Sequence, residues 1–448
     1  MLSSYHAQQD LIVIKNNIQD MLLYLNKIVS SGMIEIKKTY CFILSSRYGI
    51  IDNIELYNYV NSLVTTYDNG RQSIVSSSDI SINGIQKSIN QSVNIVKYTQ
   101  IDKNFGLPHY DLLFKNKKKI NLFFPHVFNL DEIKDLVNKV DSSALRFDSK
   151  IINTEGSTFE YFINVRVLGN SFGWIGTYLS TYYCLSSCVV AGHNESMERD
   201  FFYTVSRDFY DLDDPERVGC SSAKKSLSKL HSRKIHTQIS PVIFISDIAY
   251  KLFSYLVSAI QGYSVYKKST FLLNFLNKKI FPSWLDISEN PFLEKGLSSR
   301  LFDGEGVATV RRKIVEKGIL KTWLLDTYTA NQLKMNSTGH SGGICNWIVS
   351  GFQENCSFSE LLITMNRGLL VTELLGDGVN IVTGNYSRGA CGFWIEGGKI
   401  KYPVHEITIS GNLLDMWNNI SLMSNDVNKK NNIHSSSVLI DKMQISGN

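Results

Sequence analysis

Apolar positions along this chain recur in two rhythms that alternate several times. From Leu11 to Val29 they fall at helical spacing, and Ser30-Ser31-Gly32 ends the segment. Ile34 to Val60 alternates as strands do, with a break at Arg47-Tyr48-Gly49. Asp68-Asn69-Gly70 has hairpin-turn composition, so Val64 to Tyr67 is expected to pair with Ser73 to Ser77. Ile82, Ile85, Ile89, Val93 and Val96 line one face of a second helix. Gln100 to Phe128 carries little pattern. Ile133, Leu136, Val137 and Val140 mark a third helix, after which 150–205 alternates again between Gly-containing breaks. Asp214-Pro215-Glu216 opens a helix, with proline at its first position and acids at its positive end. Val242 to Ile245 reads as a strand, followed by a helix capped by Ser246 or Asp247 that reaches Gly262. The remainder reads mostly as strands, densest from Arg367 to Asn412. There Glu396-Gly397-Gly398-Lys399 is a hairpin turn of the kind that needs positive φ.

This order of elements predicts an α+β protein, with small helix/sheet N-terminal domains followed by a β-rich C-terminal domain. The expected boundaries are 1–128, 129–236 and 237–448, two or three domains being what 448 residues suit. The hydrophobic share, 43%, contains no run of about 18 apolar residues, so no membrane span is expected. The start, MLSSYHAQQDLIVIKNN, lacks a basic segment followed by an apolar one, so no signal peptide is expected and the reading is cytoplasmic. The net charge of +5 is not gathered into a stripe, so direct nucleic-acid binding is not expected. The lysine cluster 115–119 reads as a solvated loop. Seven scattered cysteines fit reduced thiols.

Three local motifs suggest chemistry. Cys184, Cys188 and His193 are close in sequence, but no second Cys/His pair completes a tetrahedral set and the stretch reads as a strand. Gly169-Asn170-Ser171-Phe172-Gly173 matches G-x-S-x-G, yet a nucleophile elbow needs a helix after the turn, and both flanks here alternate like strands. Asp303-Gly304-Glu305-Gly306 places two acids in a Gly-rich turn ahead of strand-like Val307 to Val310. None of the three is assigned a catalytic role.

More specific words lie further on. LVTEL (370–374), TG-x-YSRGA-x-GFW (383–394) and YPV-x-EITI-x-GN (402–412) stand with N-T-E-G (153–156), M-E-R-D (197–200) and S-T-G-H-S-G-G (337–343). In these the chain resembles the PmbA/TldD family, nearest its PmbA (TldE) branch, over about 150–448. That resemblance implies a zinc protease built from two related subunits, of which the TldD type carries H-E-x-x-x-H on one helix and a cysteine near its C-terminus. Counting back from Lys267-Lys268-Ser269-Thr270 puts Ser254 and Ala259 at the histidine positions and Tyr255 at the glutamate. Residues 248–266 contain no His, Asp, Glu or Cys, and the tail 431–448 contains no Cys. The resemblance therefore implies no catalytic or metal residue and no cofactor in this chain. Zinc would sit in a TldD-type partner, and unfolded peptides would be cut in a shared chamber. Tyr386, Ser387 and Arg388 are expected on a chamber-facing loop, against the alternative of a tight turn with Arg388 paired internally. Trp323, Trp347, Trp394 and Trp417 suit either core or partner surface. The rival reading is a stand-alone regulatory or binding homodimer without protease activity.

Overall fold

The computed structural model describes residues 4–115, 119–351 and 356–447; the centre of the lysine cluster, 116–118, lies outside them. The first half runs α1 (Ser4–Leu25), β1 (Ser31–Arg47), β2 (Ile50–Asp68), β3 (Arg71–Ser77), α2 (Ile82–Val96), α3 (Leu130–Leu145), β4 (Ile151–Asn170), β5 (Ile175–His193), β6 (Ser196–Ser206) and α4 (Pro215–Ser228). Its strands form a six-stranded antiparallel sheet in the order β3-β2-β1-β4-β5-β6. β1 pairs with β4 from Met33 opposite Asn170 to Ser46 opposite Ser157. One sheet thus joins segments on both sides of position 128.

Alternation builds this sheet's buried face: Phe159, Tyr161, Ile163, Val165 and Val167 are all buried on β4. The apolar faces of α1, α2 and α3 close over it through Ile14, Ile18, Ile85, Ile89, Ile133 and Val137. Each such side chain contributes about 1.5–3 kcal/mol on leaving water. The 68–70 turn gives the expected register, with Val64 opposite Val75. Asn129 caps α3 through the Glu132 N–H, and Asp214 caps α4 through the Glu216 N–H ahead of Pro215.

The second half comprises β7 (Gln238–Phe244), α5 (Ser246–Ile260), α6 (Gly262–Tyr266), β8 (Leu285–Asn290), β9 (Arg312–Glu316), β10 (Ile319–Leu320), α7 (Thr327–Gln332), β11 (Asn346–Gly351), α8 (Phe358–Met365), β12 (Gly368–Leu375), β13 (Val379–Asn380), β14 (Asn385–Glu396), β15 (Lys399–Asn412), α9 (Leu413–Asn418), β16 (Ile420–Met423), β17 (Ile433–His434) and β18 (Val438–Ser446). β12, β7, β18, β15 and β14 pair in sequence, and β14 returns to β12, so these strands close into a barrel-like ring. A second sheet, β10-β9-β8-β11-β17, lies beside it. Gly397 and Gly398, at φ 60° and 69°, make the β14–β15 turn. The buried face of α5 and the inner faces of both sheets share one core, which holds Trp323, Trp347, Trp394 and Trp417.

The whole is α+β, with two corrections of detail. α7, α8 and α9 interrupt a stretch that reads as strands and loops. The residue before α5 is Ile245, with no side-chain cap. Asp247 is drawn instead to Lys225 of α4 at 2.6 Å and to Asn428 at 2.8 Å. Among the described residues no helix is long and apolar enough to cross a membrane.

Candidate functional site

The helix singled out by sequence, α5, is amphipathic, and Ile248, Ala249, Leu252, Phe253, Leu256, Ala259 and Ile260 form its buried face. Ala259 belongs wholly to the core. Ser254 sits at the border, its Oγ donating to the Lys251 carbonyl at 2.8 Å in its own helix. Tyr255 reaches across to β14. Its hydroxyl accepts from Arg388 Nη1 at 2.8 Å and donates to Asp377 Oδ1 at 3.5 Å. The other terminal nitrogen of Arg388 donates to the Gly376 carbonyl. The Tyr386 ring stands edge-on to Tyr255, with centroids 6.0 Å apart.

Tyr386, Ser387 and Arg388 therefore belong to a strand and not to a loop. The β15 register sets them opposite Gly411, Ser410 and Ile409. Alternation sends Tyr386 and Arg388 inward and leaves Ser387 exposed. Sequence placed Ser254, Tyr255 and Ala259 on one helix and these three on one segment; the structure joins the two sets through Tyr255, Tyr386 and Arg388.

Burial dominates the local electrostatics. It pushes the Tyr255 phenol up, with Arg388 opposing in part. It pushes the Lys251 ammonium down, and the Arg388 charge adds to that. It also raises the Cys391 thiol, with Glu373 adding, so this sulfur is held protonated and is a poor nucleophile. A cleft of about 290 Å³ runs beside α5, between β6 and α4 on one side and α5 and β12 on the other. Lys229 bridges Asp200 at 2.9 Å and Glu373 at 2.6 Å across it.

Zinc requires three or four nitrogen, sulfur or carboxylate donors converging on one point. Among the described residues no group of three His, Cys, Asp or Glu side chains is so placed. The donors around α5 do not fit that metal. Cys184 and Cys188 lie in β5, and His193 hydrogen-bonds His231 at 2.9 Å. Ser171 lies in the β4–β5 hairpin and accepts from the Gly32 N–H at 3.2 Å. Asp303 Oδ1 accepts from the Glu305 and Val307 N–H groups of its own turn. Glu305 accepts from the Thr327 N–H at 2.9 Å and from its hydroxyl. Burial, and then Asp303, push the Glu305 carboxyl up to about 8. Its turn was legible in sequence, whereas its burial against α7 was not.

Two cations that carry no sequence motif also stand out. Arg207 and Arg300 face a cavity between the six-stranded sheet and the C-terminal half. Basic residues after a strand and in a loop give no signal until the two halves are docked.

The PmbA/TldA metallopeptidase central-domain model matches residues 125–230, and the corresponding C-terminal-domain model matches 237–447. The Metalloprotease PmbA homolog of Buchnera aphidicola (strain APS) is 46% identical over 97% of this chain and 97% of its own length. Metalloprotease PmbA of Escherichia coli O157:H7 is 46% identical over 92% of each chain. A Bacteroides thetaiotaomicron crystal structure, described as a candidate modulator of DNA gyrase, superposes with TM-score 0.91 at 26% identity, covering 97% of this chain and 99% of that one. TldE from Thermococcus kodakarensis shares the fold, with TM-score 0.81 at 20% identity, covering 96% of this chain and 100% of that one. The fold and these matches define a PmbA/TldD-type metallopeptidase-family protein. Within that group the chain belongs to the PmbA (TldE) branch.

Proposed function

We infer that this chain is the PmbA-type subunit of a zinc-dependent peptidase whose metal is held by a TldD-type partner. The carrying observation is the state of α5. At the three positions aligned with the partner's zinc motif, Ala259 is core, Ser254 is bonded to its own helix and Tyr255 is engaged by Arg388. This chain supplies wall and binding surface for unfolded peptides and leaves the hydrolytic step to the partner.

A second feature supports a partner. Among the described residues β3 covers β2 only from Ser62 to Asp68, so 50–61 form an open strand edge. That edge carries exposed Ile50, Ile54, Leu56, Tyr57 and Tyr59. Long apolar edges are pairing surfaces that proteins otherwise protect.

The test assays an unfolded peptide with this chain, with a TldD-type partner and with both. Cleavage needing both is the expected result. Equal cleavage by the partner by itself rejects a required role here. Zinc analysis of the purified chain should find far less than one metal per chain after dialysis against a weak chelator. The Bacteroides thetaiotaomicron relative, described as a candidate modulator of DNA gyrase, lends support to the regulatory part of the second reading, a stand-alone homodimer without protease activity. A partner-independent homodimer with no effect on cleavage would move the conclusion there.

A further inference from the structure

A cavity of about 450 Å³ opens between β1, β4 and β5 of the six-stranded sheet and the 297–300 and 342–344 loops of the C-terminal half. Lys37, Arg166, Arg207 and Arg300 line it, and among the described residues no Asp or Glu does. Behind the wall, Glu35 accepts from Arg166 Nε at 2.6 Å and pairs with Lys37 at 3.0 Å. One carboxylate thus faces two of the four cations. Arg207 and Arg300 form no ion pair among the described residues.

Arg207 is the telling group. It is 8% exposed, and among the described residues its guanidinium donates only to the carbonyls of Gly296 at 3.0 Å, Thr181 at 3.0 Å and Leu297 at 2.6 Å. Burial without a counter-ion pushes its pKa down to about 10. Arg300 likewise donates to the Gly342 and Gly343 carbonyls. A structural clamp accounts for those carbonyl contacts. It does not account for four cations around one cavity with no acid in the wall, because neutral donors bind carbonyls without the desolvation cost of a charge. Low-dielectric walls lined by one sign of charge focus potential onto a ligand of the opposite sign. The volume is that of a small-molecule site.

We propose that this cavity binds a compact anion bearing two or more acid groups, carboxylate or phosphate, held between Arg300, Arg166 and Lys37 and oriented over the field of Arg207. Titration calorimetry of the full-length chain with citrate, with inorganic pyrophosphate and with uncharged glycerol tests it. At least one anion should bind with a Kd of about 1 mM or tighter, weaken as salt rises, and leave glycerol silent. Citrate binding without pyrophosphate assigns the carboxylate source, and the converse assigns phosphate. Arg300→Gln should weaken binding about tenfold or more, the loss of a charged donor. Lys37→Gln, at a half-exposed position that the fold does not need, should weaken it several-fold and keeps the test valid if the Arg300 variant misfolds. No heat from either anion, or equal affinity in both variants, overturns the site.

Discussion

Replacing Arg388 with alanine is the most direct probe of the α5–β14 cluster. Arg388 is 8% exposed, and its guanidinium bonds Tyr255 and the Gly376 carbonyl and forms no ion pair among the described residues. Removing it deletes two hydrogen bonds from a charged donor, each worth about 1.5–3 kcal/mol, and leaves a partly buried phenol and the carbonyl of exposed Gly376 without that donor. Release of an uncompensated buried charge offsets part of that loss. The expected net cost is about 3 kcal/mol, with Arg388→Lys intermediate because an ammonium restores charge but not the fork. Tryptophan fluorescence in urea suits the assay, since Trp284, Trp323, Trp347, Trp394 and Trp417 all lie in the C-terminal half. With a slope of about 3 kcal/mol per molar urea, the midpoint should fall by about 1 M. A double-mutant cycle with Tyr255→Phe should show a coupling of about 1 kcal/mol. An unchanged midpoint together with lost peptide cleavage would refute this reasoning and move Arg388 from the interior to the substrate surface.

Three further outcomes follow from the same geometry. Lys229→Met leaves Asp200 and Glu373 facing each other across the cleft, and should cost about 2–4 kcal/mol and speed proteolysis between α4 and β7. The Glu305 carboxyl, raised to about 8 when folded, keeps a proton that the unfolded chain releases near 4.3. Its contribution is therefore intact below about pH 4 and lost as pH rises through 8; Glu305→Gln should stabilise by about 1–4 kcal/mol at pH 8 and little at pH 4, read from paired melts. Leu56→Lys on the open edge of β2 should weaken capture of a TldD-type partner without changing the circular dichroism spectrum; undiminished capture would remove that edge from the interface.

Sequence reading reached those elements whose amphipathic segments were long or whose turns carried Asn-Gly, as at 69–70, or Gly-Gly, as at 397–398. It missed α7, α8 and α9, of six, eight and six residues, because helices this short leave little periodicity and are held by packing. The β1–β4 pairing was equally hidden: it closes a loop of more than a hundred residues, and strand alternation does not say which strand is the neighbour. At the candidate site the residues were legible and their partners were not. Tyr255 and Arg388 are 133 positions apart, so nothing local ties the helix to the Gly-rich segment. Residues 383–389 read as a loop because glycine marks turns; here Gly389 sits inside a paired strand.

The three α5 positions that correspond to the zinc motif differ in their surroundings, and the difference bears on whether a metal site could be built there. Ala259 is fully buried, so histidine there must overpack the core. Ser254 faces the border of the helix and could accept a larger side chain. Tyr255 is the hardest to revert, because its neighbour is a cation. At about 6 Å and an effective dielectric near 20, a guanidinium repels a divalent ion by about 5 kcal/mol, comparable to a large share of a metal's binding energy. Glutamate at 255 would pair with Arg388 before it could serve a metal-bound water. The triple variant Ser254→His, Tyr255→Glu, Ala259→His should therefore fail to bind zinc at one per chain, and adding Arg388→Met should recover weak binding at most. Stoichiometric zinc in the triple variant with Arg388 intact would show that the guanidinium does not guard the helix, and would reduce the proposed division of labour with a TldD-type partner to a matter of missing ligands.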